Sequence, residues 1–132
     1  MMTLDDFEIH DISAFPVVRF FPESLPEGYA LRWEKEMDAL ITQPEPFVVL
    51  LGNAEVAKET HEDRKRRTLW LKRNRDALAR ACKGMVGVQP NAAKRLVMQT
   101  QSAALTGLFN VPLRVVASVE EAERLGRVFL SE

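Results

Sequence analysis

Phe47-Val48-Val49-Leu50-Leu51 is an unbroken apolar run that stops on Gly52. It is too short for a stable helix, and it lacks the polar alternation of a strand with one wet face. Such a run reads as a strand buried on both faces, which belongs in the middle of a parallel or mixed sheet carrying helices. Working toward the N-terminus, Pro44 and Pro46 close whatever precedes it. Tyr29, Trp33, Met37, Leu40 and Ile41 recur at helical spacing, so a helix is expected to end near Thr42. Ser24-Leu25-Pro26-Glu27 has the form of a capping box and marks its expected start. Farther upstream, Phe7 to Ile12 alternates, and Phe15 to Phe21 is rich in β-branched and aromatic residues. These predict an antiparallel hairpin whose second strand begins late because of Pro16.

On the other side of the run, Gly52 to Glu59 predicts a loop and Thr60 to Lys83 the longest helix. Thr60 and Asp63 fit a capped start, and Gly84 fits a stop. The expected buried stripe is Trp70, Leu71, Asn74, Ala77, Leu78, Ala81 and Cys82. Met85 to Val88 is a short strand. Pro90-Asn91 opens a helix expected to turn Ala93, Leu96, Val97, Thr100, Ala104 and Leu108 inward. Val111 to Ala117 is the last strand, and Ser118 with Glu121 caps a final helix with Ala122, Leu125 and Phe129 inward. The order is β-β-α-β-α-β-α-β-α, an α/β fold with a mixed sheet and packed helices. Residues 48–51, 86–88 and 113–116 are expected at the sheet's centre.

The 132 residues fit one domain, 1–132, large enough to fold without a disulfide or metal. No apolar run approaches about 20 residues, so no membrane span is expected. The first ten residues carry Asp5, Asp6 and Glu8 and no apolar core, unlike a signal peptide. Cys82 is the sole cysteine, which rules out an internal disulfide and fits a cytoplasmic address. Charge is unevenly spread. Residues 58–83 hold ten Lys or Arg against four Asp or Glu, a local +6 in a chain of net −1.

The element order resembles the STAS domain, the fold of the SpoIIAA-type anti-sigma factor antagonists. In residues the likeness is best in the C-terminal half: Pro90, Lys94-Arg95-Leu96, Gly107-Leu108-Phe109, Arg114, Ser118 and Glu121-Ala122. Val48 to Gly52 also resembles the strand before that family's signature loop. Members that act as phosphoswitches carry Asp-Ser-Ser-Gly at the next helix start. Here the stretch is Ala57-Lys58-Glu59-Thr60-His61-Glu62, with Thr60 as its only hydroxyl. The resemblance implies a bacterial-type regulatory or scaffold domain, since STAS-like domains mostly bind protein partners or small ligands and rarely catalyse. Thr60 is expected to cap its helix.

Residue chemistry points the same way. His10 and His61 lack metal-ligand spacing and are expected on the surface. Cys82 is expected to be a buried, inert thiol. No glycine pattern forms a phosphate loop. No cofactor and no metal are expected, and catalytic residues are not identifiable. Arg66, Leu69, Arg73 and Arg80, with Lys65, Lys72 and Lys83, project from the outward face of the long helix. They are the candidate docking face for an acidic protein partner. Nucleic acid is not expected, since no aromatic residue interleaves with these charges. The alternative is an enzyme or enzyme accessory holding a small anionic ligand at the start of the second helix, on Asn53, Thr60, Arg64 and Arg67.

Overall fold

The computed structural model describes residues 3–52 and 59–132. It is an α/β fold with a five-stranded mixed sheet. Strands β1 (His10–Ala14) and β2 (Val17–Phe20) form the antiparallel hairpin, joined through a cis Phe15–Pro16 bond. Helix α1 (Ala30–Thr42) leads to β3 (Phe47–Leu51), and α2 (His61–Arg73) and α3 (Arg75–Ala81) lead to β4 (Cys82–Val88). Helix α4 (Ala92–Phe109), β5 (Leu113–Val116) and α5 (Val119–Ser131) complete the chain. The sheet order is β1-β2-β3-β4-β5, parallel from β2 onward. No helix among the described residues is long and apolar enough to cross a membrane.

β3 is the middle strand, and its alternation assigns the two cores. Phe47 and Val49 join Trp33, Met37, Leu40, Trp70 and Leu78 in the core beneath α1, α2 and α3. Val48 and Leu50 point the other way, onto Ala122 and Phe129 of α5. Each parallel crossover steps one strand in the same direction, and crossovers of one hand then place their helices on one face. α5 alone covers the other face. Close packing of α5 requires two glycines. A Cβ on Gly84 would lie 2.4 Å from the Phe129 ring, and one on Gly126 would lie 3.3 Å from Leu50.

Several expectations change. The long helix breaks at Asn74, whose side chain donates to the Trp70 carbonyl, and so divides into α2 and α3. Strand β4 starts at Cys82, so Gly84 lies inside a strand under Phe129 and is not a helix stop. Residues 113–116 form an edge strand, not part of the centre. Ser24 caps nothing, because Pro22–Ser24 is a separate 3-10 turn and Gly28, at φ +82°, interrupts the path to α1. The largest reversal is in α4. Leu96, Val97 and Leu108 are 65%, 57% and 57% exposed, and Ala93, Thr100 and Ala104 also face solvent. The inward side carries Ser102 and Thr106 together with Met98 and Phe109. Thr106 Oγ1 accepts from Leu113 N, and Gln99 Nε2 donates to the Val115 carbonyl. Polar bonds to an edge strand set the helix rotation, and its apolar stripe is left outside.

Gly84→Ala should lower stability by about 1–3 kcal/mol, because the added methyl overlaps a buried ring. Urea unfolding should show this, and Phe129→Leu in the same chain should recover part of the loss.

Candidate functional site

The carboxyl ends of β2 and β3 lead to the N-termini of α1 and α2, the usual place for a site in an open parallel sheet. Thr60 caps α2: its Oγ1 accepts from Asp63 N at 3.1 Å and donates to Asp63 Oδ2 at 3.0 Å. The Asp63 carboxylate then reaches across to α1 and accepts from Gly28 N at 2.8 Å and Ala30 N at 3.1 Å. A residue of α2 therefore caps α1, where the helix dipole favours an anion. This fixes the two helix starts against each other and explains why α1 needs no cap of its own.

Beside this junction, Glu59 gathers three side chains. Arg67 donates to both carboxylate oxygens at 3.0 Å, Tyr29 OH donates to Oε2, and Arg64 approaches to 3.6 Å. Burial opposes the Glu59 charge, but Arg67 and Tyr29 outweigh it and hold the carboxyl below its usual range. Burial and the bond to Glu59 push the Tyr29 hydroxyl well up. Burial works against the Arg67 cation, and the Glu59 contact more than restores it. Of the candidate anion site, Arg67 is thus filled by an internal carboxylate, Thr60 is spent on Asp63, and Arg64 extends into solvent. Asn53 lies outside the described residues.

The candidate docking residues lie on the outer side of the same helix. Leu69 is 45% exposed, with Lys65, Lys72 and Arg73 exposed around it. Arg80 is exposed on α3, and Lys83 on β4. Arg66 and Arg73 differ from free surface charges. Both turn to Glu34 of α1, at 2.9 Å and 3.6 Å. They therefore fasten α2 to α1 as well as contributing positive charge.

His10 departs from its expected surface position. It is 3% exposed, not on the surface, and its Nδ1 lies 2.9 Å from Glu36. Glu36 also accepts from the backbone N–H groups of Glu8, Ile9 and His10 and from Arg32 Nε. Burial penalises this carboxylate, yet His10 and the three backbone donors bring its pKa down to about 2. One side chain thus ties the start of β1 to α1. Glu36 stands between Trp33 and Met37 on the buried side of its helix, so a carboxylate inside an apolar stripe was the available signal. Glu34, Glu59 and the reach of Asp63 left no such mark.

The described residues offer two open grooves against this N-terminal segment, away from the Glu59 cluster. One, of about 580 Å³, lies between Phe7 and α1 and is flanked by Arg32 and Lys35. The other, of about 300 Å³, runs along Phe7 to Ile12 beside Phe21. His61 is exposed, and burial pushes the Cys82 thiol up to about 12. Among the described residues no group of three His, Cys, Asp or Glu side chains is placed to hold a metal ion. No protein-family model matches the chain, and no curated protein or solved structure matches it either.

Glu36→Gln should destabilise the protein by about 3 kcal/mol near neutral pH, because it removes a buried charge that several donors share. The folded pKa lies below the ordinary 4.5, so the contribution is full above that pH and is lost as pH falls toward about 2. Chemical denaturation across this range should show the gap between wild type and variant closing with acid.

Proposed function

We propose that the chain is a non-enzymatic, STAS-like regulatory or scaffold domain, and that it docks an acidic protein partner on the outer ridge of α2 and α3. The observation that carries this reading is Leu69, 45% exposed at the centre of Lys65, Lys72 and Arg73. An apolar residue ringed by like charges gains from a partner that buries the one and neutralises the others. The local balance of +6 over residues 58–83 supplies long-range attraction for such a partner. The STAS likeness is supported by the order of elements, with the doubly buried strand ahead of the helix at whose start that family carries its signature, a place held here by Glu59-Thr60-His61-Glu62. Thr60, spent as a cap on Asp63, fits binding without a phosphoswitch.

Lys65→Glu, Lys72→Glu and Arg80→Glu together should weaken partner binding by more than about tenfold, a loss of at least about 1.4 kcal/mol. They should leave the melting temperature unchanged, since none of the three touches Glu34 in the ion pairs of α1 and α2. Leu69→Ala should chiefly speed dissociation. A partner recovered by photo-crosslinking from position 69 can be titrated against each variant at low and high salt. Unchanged affinity in the triple variant would remove this ridge from the interface.

A further inference from the structure

We infer that α4 is a self-association face: two copies of the chain pair α4 against α4, antiparallel, about a two-fold axis. The starting point is the rotation of this helix. Its polar side is bonded to β5, and Leu96, Val97, Leu105 and Leu108 are 65%, 57%, 41% and 57% exposed. An apolar stripe running the length of an 18-residue helix is unusual on a monomer's surface.

The stripe has the form of a helix-pairing seam. Ala93, Val97, Thr100, Ala104 and Gly107 follow one another at spacings of four, three, four and three residues. That is the repeat of a pair of helices packed nearly in line. The side chains are small, and a Cβ on Gly107 would meet nothing within 4 Å, so a second helix backbone has room to come close.

Charge selects a second copy as the occupant. α4 has two charged residues, Lys94 and Arg95, both in its first turn, and no acidic residue at all. Positive charge there opposes the helix's own dipole. Arg95 is held by the Gln89 and Pro90 carbonyls of its own chain. Antiparallel pairing keeps the two basic turns at opposite ends of the seam, whereas parallel pairing would set these like charges side by side. No like charges meet along the seam, and an isologous contact needs one surface only. A strongly acidic or basic partner would find no counter-charge along the middle of the helix.

Size and the alternative route agree with this. The helix is about 27 Å long and about 10–12 Å across, so its outer half offers roughly 420–510 Å² per copy. A total of at most about 1,000 Å² is that of a weak, reversible pair. Pairing through the sheet edge is hindered, because α4 side chains already take the Leu113 N–H and the Val115 carbonyl of β5. This inference does not rest on the α2 ridge, which belongs to a different helix.

Sedimentation equilibrium of the full chain from micromolar to submillimolar concentration should show a monomer–dimer equilibrium. Val97→Glu with Ala104→Glu should shift the equilibrium to monomer by at least about tenfold in Kd, with the far-ultraviolet circular dichroism unchanged. Orientation is read from introduced thiols, since Cys82 is 1% exposed and does not compete. Thr100→Cys, near the helix midpoint, should form a disulfide-linked dimer alone. Ala93→Cys should not, but should cross-link when mixed with Gly107→Cys. A wild-type chain that stays monomeric over the whole range would overturn the proposal and leave the face to a different partner. So would a dimer indifferent to the double glutamate variant, or Ala93→Cys cross-linking to itself.

Discussion

The structure depends on β3 being apolar on both faces. A strand with Phe47 and Val49 on one side and Val48 and Leu50 on the other can only be satisfied by helices above and below it. That requirement places the hairpin to one side and β4 and β5 to the other. It also brings the starts of α1 and α2 to one end of the sheet. The coverage is unequal. α1, α2 and α3 share a large core with two packed tryptophans, their rings 5.2 Å apart and edge-on. α5 seals the opposite face alone and can do so because Gly84 and Gly126 let it approach.

Polar groups inside this frame act as ties. Asp63 joins α2 to the start of α1, Glu34 receives Arg66 and Arg73, and Glu36 holds the backbone of residues 8–10. Each carboxylate links segments distant in sequence, and each is matched by donors, so its burial is tolerated. The same economy accounts for the Glu59 cluster. Its arginine and tyrosine are turned inward onto a carboxylate, which matches that buried charge with donors.

Much of this was legible in the chain. Apolar runs and their breaks gave the element order, and the caps at Thr60 and Ser118 hold their helices as expected. The apolar character of Leu96, Val97 and Leu108 was equally plain, but its direction was not. Hydrophobic spacing reports which side of a helix is apolar, and it assumes that this side is buried. Here Ser102 and Thr106 take the inward side together with Met98 and Phe109, while Gln99 and Thr106 bond to the neighbouring edge strand. The break at Asn74 and the false start at Ser24 were hidden for a related reason. Both turn on contacts or backbone angles fixed by tertiary structure, which local pattern does not encode. For the candidate site, exposure of Leu69 and Arg80 followed from the helical wheel, whereas Arg66 and Arg73 are partnered by Glu34, far away in sequence, and Arg67 by Glu59, eight residues upstream.

If β3 is the element on which everything else is assembled, its amides should open only when the whole protein unfolds. Native-state hydrogen exchange reads this directly, residue by residue. The slowest exchange is expected at residues 48–50 and their β4 neighbours, with opening free energies equal to the global value from denaturation. Exchange at these positions that is faster than in α4 or α5, or that occurs well below the global unfolding free energy, would contradict a fold built outward from this strand.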